Sequence, residues 1–127
     1  MFEKRKILNL DTNDYHEWPL SQPRNAYYNM ASPSECPLGQ YMKSKLPLGV
    51  KDKNTYVMTG YYLLKEPYGV VSGTNGYTQN YVFPSWTEIY VHNLLQSIWY
   101  PSRRKALREF YKLNPEFKPA RKFLWFR

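Results

Sequence analysis

The chain has 127 residues, with 18 Lys/Arg against 10 Asp/Glu for a net charge of +8, and it is 43% hydrophobic and 18% aromatic. That length suits one domain, the apolar content is too high for wholesale disorder, and the positive balance implies an acidic partner surface. The single cysteine, Cys36, excludes an internal disulfide and a cysteine-rich zinc site.

In chain order, the N-terminal stretch Met1–Asp11 has too short an apolar run for a signal peptide, and it is too acidic for a typical transit peptide. No run of about eighteen apolar residues exists to span a bilayer, so any membrane attachment is expected to be peripheral. Residues 1–50 read as an extended, proline-rich arm. Pro19, Pro23, Pro33, Pro37 and Pro47 interrupt it, and each proline fixes φ and removes a donor. The phrases Ser32–Gly39 and Leu46–Gly49 are turn chemistry, and the apolar residues follow no sustained period. The thirteen tyrosines, among them Tyr27 and Tyr28, read as material for a half-wet contact surface. The free chain is expected to be poorly ordered over this arm.

Residues 51–84 read as a β-hairpin region. Thr55–Leu64 is dense in β-branched and aromatic residues, with Gly60 marking a bulge or a close approach. Asn75-Gly76 is the preferred pair for a type I′ turn, where both central residues take positive φ. After it, Tyr77, Gln79, Tyr81 and Phe83 share one strand face. A hairpin or short meander follows, and Gly76→Val is expected to damage folding more than Gly39→Val.

Residues 85–127 read as helical, with a basic and aromatic tail. Ser85 and Glu88 have capping-box spacing, and Val91, Leu94, Leu95 and Ile98 form an apolar stripe flanked by Ile89 and Trp99. Pro101 ends this helix and Ser102 caps the next, whose buried side is Ala106, Leu107, Phe110, Tyr111 and Leu113. Arg104, Arg108 and Lys112 recur every four residues as a basic row. Residues 101–127 hold nine Lys/Arg against only Glu109 and Glu116, which leaves the first hundred residues with a surplus of only +1. Arg121, Lys122, Phe123, Trp125 and Phe126 combine cations with large apolar rings, which suits docking against protein or headgroups and equally stacking on bases. The fold class is therefore a small, irregular α+β domain: an arm, a hairpin region and two C-terminal helices.

Catalytic signatures are absent. His16 lies in an acidic surface phrase, Asp14–Glu17, and His92 reads as a boundary residue of the first C-terminal helix. Cys36 reads as a thiol in a turn. The pairs Asp11/Asp14 and Glu3/Glu17 lack a visible scaffold, and no GxGxxG, Walker A, HExxH or EF-hand pattern occurs. Neither catalysis nor a cofactor or metal is expected.

The proline-rich arm with Tyr27-Tyr28, the Tyr61-Tyr62 and Tyr77–Phe83 segments and the basic-aromatic tail resemble supernumerary subunits of mitochondrial respiratory-chain or ATP synthase complexes, particularly those of protists. The resemblance implies a non-enzymatic accessory subunit, peripheral to the mitochondrial inner membrane, that braces other protein subunits. The alternative is a mitochondrial ribosomal protein that contacts RNA through its basic end. Nucleic acid is the less favoured partner, because an RNA-embedded arm would carry cations along its length.

Overall fold

Asn75 and Gly76 both take positive φ, 58° and 76°, and Tyr77 N donates to Thr74 O at 3.2 Å. This is the type I′ turn that the Asn-Gly pair specifies, and the sheet grows around it. The computed structural model describes residues 7–58 and 67–119. Strands β2 (Asp52–Met58), β3 (Tyr68–Gly73) and β4 (Thr78–Val82) form an antiparallel meander. A short strand, β1 (Ile7–Asn9), adds in parallel to β4, giving a mixed sheet of order β1-β4-β3-β2. Gly60 and the end of the Thr55–Leu64 run lie outside the described residues.

The segment expected to be an extended arm instead carries two helices, α1 (Thr12–Ser21) and α2 (Pro37–Ser44). Residues 1–6 of that arm lie outside the described residues. Asp11 caps α1, its carboxylate accepting from Asn13 N at 2.9 Å and Asp14 N at 3.4 Å, as a good N-cap does. Pro19 falls in the last turn, where a missing donor interrupts little of the helix. Pro37 begins α2 at a position where helices favour proline, and Cys36 caps it, the thiol accepting from Gly39 N at 3.4 Å. Each helix buries one face: Tyr15, Trp18 and Pro19 from α1, and Leu38, Tyr41 and Met42 from α2. Among the described residues, nine of the eighteen buried apolar side chains lie between Leu10 and Met42. The arm is part of the core.

Helix α2 packs against β2 and β3. Gly69 makes room for it, since a Cβ there would come within 2.6 Å of Phe83 Cζ and 2.8 Å of Met42 Sδ. Tyr81 and Phe83 point to the same core, on the strand face the alternation predicts. Two further helices, α3 (Trp86–Ser97) and α4 (Arg103–Leu113), pack on each other, and α4 also packs on α1. The expected capping box does not form: Ser85 has helical dihedral angles and no side-chain cap. Thr87 Oγ1 instead donates to Pro84 O at 2.7 Å. The expected stripe is also displaced. Thr87, Tyr90 and Leu94 are the buried face of α3, while Ile89, Leu95 and Ile98 are exposed.

The tyrosines are used differently from the expectation. Tyr15, Tyr28, Tyr41, Tyr81, Tyr90 and Tyr111 are buried. Tyr15 and Tyr90 exchange a hydrogen bond of 2.6 Å between hydroxyls, and burial, with the neighbouring phenol, pushes the Tyr15 pKa well above its ordinary value. Tyr41 OH donates to Asp14 Oδ2 at 2.5 Å. A buried phenol that keeps a partner adds ring area without an unmet polar group.

Candidate functional site

Ser102 begins α4 as predicted, its hydroxyl accepting from Lys105 N at 3.1 Å. Helical spacing then separates two faces. Ala106, Leu107, Phe110 and Tyr111 are buried, while Arg104, Arg108 and Lys112 are exposed. Asn114 ends the helix, its side-chain amide donating to Phe110 O at 3.2 Å. A single 3-10 turn, Pro115–Phe117, brings Phe117 against His16 and Phe110, with ring centroids 5.1 and 5.5 Å away. The next residue, Lys118, joins Arg104, Arg108, Tyr111 and Lys112 around a cavity of about 420 Å³. The structure thus brings together the three predicted cations of α4 and adds Lys118 and Tyr111. Arg121, Lys122, Phe123, Trp125 and Phe126 lie outside the described residues.

Beneath this face Glu109 is buried, and its Oε2 accepts from Lys105 Nζ at 2.9 Å and Lys112 Nζ at 3.1 Å. Burial pushes its pKa up, but the two lysine hydrogen bonds outweigh this and hold it below its ordinary value. The i, i+4 and i, i+3 spacings place both lysines on the carboxylate.

His16 is the principal correction among the candidate residues. It is half-buried between α1 and α4, not a surface residue in an acidic patch. Its ring stacks on Phe110 at 5.2 Å with 2° between planes, and its Nε2 shares a hydrogen bond of 2.9 Å with Tyr111 OH. Burial lowers its pKa below 6.5, against an opposing pull from Glu17. The unfolded chain therefore takes up this proton more readily than the folded one. The contribution is present in full above pH 6.5 and is lost as pH falls from there through the folded pKa. Thermal stability should accordingly fall on acidification below about pH 6.5, well before the carboxylates Asp14 and Glu109 titrate. A His16→Gln variant should lose that step in melts recorded across pH while keeping the later carboxylate step.

The other candidates are structural or exposed. His92 is exposed on α3. Cys36 is buried, its pKa raised chiefly by that burial, so its thiol serves as a helix cap. Asp14 is held below its ordinary pKa by its hydrogen bond from Tyr41 and then by that from Lys45, the lysine lying 2.9 Å away. Asp11 is the cap of α1, and Glu3 lies outside the described residues. Among the described residues no group of His, Cys, Asp and Glu could hold a metal ion. Likewise, none of their helices is long and apolar enough to cross a membrane.

A second surface was not legible as such. Helix α3 ends at Ser97, Ile98 turns extended, and the chain runs alongside residues 26–30. Met30 N donates to Trp99 O at 2.8 Å, Tyr28 N to Pro101 O at 2.9 Å and Arg103 N to Ala26 O at 2.9 Å, and Tyr27 bridges to Ser102. This ladder collects Tyr27 (65% exposed), Ile98, Trp99 (58%) and Tyr100 (59%) at one corner, with Leu95 exposed one turn earlier. The signal was present in Ile98-Trp99-Tyr100-Pro101, where proline stops the helix and strands three apolar residues.

No known protein family, curated protein or solved structure matches this chain.

Proposed function

We propose that the chain is a non-catalytic accessory subunit that braces a large mitochondrial inner-membrane respiratory complex through contacts with other protein subunits. The observation that carries this reading is the apolar corner of Tyr27, Leu95, Ile98, Trp99 and Tyr100. Clustered large apolar residues left in water mark interaction surfaces, and buried Trp and Tyr dominate the binding energy of protein interfaces. Backbone hydrogen bonds to residues 26–30 hold this corner in place, so little ordering entropy is lost on docking. The respiratory assignment rests on the resemblance in the tyrosine-rich segments and the tail.

Affinity purification of the tagged chain in mild detergent tests the reading. Co-purification with respiratory subunits is expected. Trp99→Ala combined with Tyr100→Ala should weaken retention about 30-fold or more, the effect of removing a hot spot of about 2 kcal/mol. The melting temperature should barely change, because both side chains are exposed. Retention of the double variant at wild-type level would remove the corner as the docking surface. Co-purification with ribosomal RNA, lost on nuclease treatment, would replace the respiratory assignment with the ribosomal one.

A further inference from the structure

We propose that the cavity against α4 is a binding site for a ligand carrying two adjacent phosphate groups. Every charged side chain described in its lining is a cation: Arg104, Arg108, Lys118 and Lys112, whose ammonium also meets the Glu109 carboxylate beneath it. Like charges gathered in a concavity with low-dielectric walls focus the field into it and favour a multivalent anion. The wall is largely apolar, Tyr111 included, and the hydrogen bond to His16 at 2.9 Å fixes the Tyr111 hydroxyl.

The geometry selects for more than one phosphate. A rise of about 1.5 Å per residue sets Arg104, Arg108 and Lys112 about 6 Å apart in sequence along the helix. Three cations therefore span a length that a single phosphate cannot cover. Lys118 comes from beyond the Pro115–Phe117 turn and supplies a charge from outside the helix. The two arginines bring planar forks suited to phosphate oxygens, and the two lysines bring point charges. The volume of about 420 Å³ lies within the usual range for small-molecule sites, about 300–1,000 Å³. It leaves room for an organic group beside the phosphates. A nucleic-acid strand fits less well, because the first hundred residues have a surplus of only +1 and offer no extended basic track. This site uses residues other than those of the apolar corner, so it stands or falls apart from the assembly reading.

Titration calorimetry of the full chain with inorganic pyrophosphate, and with orthophosphate as the control, tests the proposal. A parallel arm measures sedimentation with phosphatidylcholine vesicles that contain or lack cardiolipin, a lipid with two headgroup phosphates. One-to-one pyrophosphate binding, about tenfold or more tighter than orthophosphate, is expected. Arg108→Gln and Lys118→Gln should each weaken it about tenfold, the effect of losing one charge-assisted contact. Both side chains are exposed, so melting should confirm a folded protein, and Arg108→Lys should weaken binding less than Arg108→Gln. Binding confined to cardiolipin vesicles, with the same sensitivities, would assign the phosphates to a lipid headgroup. Absence of binding to either probe, indifference to Lys118→Gln, or a preference for poly(U) RNA over pyrophosphate would overturn the site.

Discussion

Gly39→Val should destabilise the protein by about 3 kcal/mol or more, at the upper end of overpacking effects, lowering the melting temperature by more than about 10 °C. A Cβ at residue 39 would lie 1.9 Å from Pro33 O and 2.9 Å from its carbonyl carbon. Both are backbone atoms, so no side-chain rotation relieves the clash. The first turn of α2 would have to lift away from residues 33–34, and Gly39 N would lose its bond to the Cys36 thiol. At Gly76 a side chain would meet nothing within 4 Å and only the positive φ opposes it, a strain of about 1–3 kcal/mol. The order expected from the turn signal alone is therefore reversed. Thermal melts of the two variants decide it: an equal or larger loss for Gly76→Val would show that the close approach at Pro33 can relax cheaply.

Phe110→Ala should cost about 3–5 kcal/mol, the range for truncating a buried aromatic ring. Phe110 is fully buried and meets the rings of Tyr15, His16, Trp86, Tyr111 and Phe117 at centroid distances of 5.1–5.8 Å. Removing it opens a void where α1, α3, α4 and the Pro115–Phe117 turn converge. The loss should exceed that of Leu113→Ala, at a partly buried position on the same helix. Urea denaturation would measure both, and equal midpoint shifts would show that Phe110 is not the centre of the cluster. Because Phe110 carries the stacked His16 ring, the variant should also shift the acid-sensitive step described for that histidine.

The elements legible in the sequence are those whose signals are local and agree. Asn75-Gly76 with its flanking alternation gave the meander. Ser102 with Ala106, Leu107, Phe110 and Tyr111 gave α4 and its buried face. Helices α1 and α2 were hidden by proline. Pro37 reads as a breaker in the sequence, although at the first helical position it is a starter, and Pro19 obscures the Asp11 cap with Tyr15 and Trp18 behind it. The face of α3 was misplaced because an apolarity count favours Leu95 and Ile98 over Thr87 and Tyr90. Thr87 satisfies its hydroxyl on Pro84, and Tyr90 on Tyr15, so both can be interior. At the candidate site the period of four in Arg104, Arg108 and Lys112 was visible. Lys118 was not, because its approach depends on the Pro115–Phe117 turn and on packing against α1.

The joining of α1 to the distant helices α3 and α4 sets a condition on how the protein is made. Tyr15 meets Tyr90 across 75 positions, His16 meets Tyr111 across 95, and Arg103 reaches Pro19 O across 84. During synthesis α1 therefore emerges with its tyrosine and tryptophan face uncovered, before α3 and α4 have been made. Such distant closures carry a loop entropy that slows folding, and the waiting apolar faces are open to mispairing meanwhile.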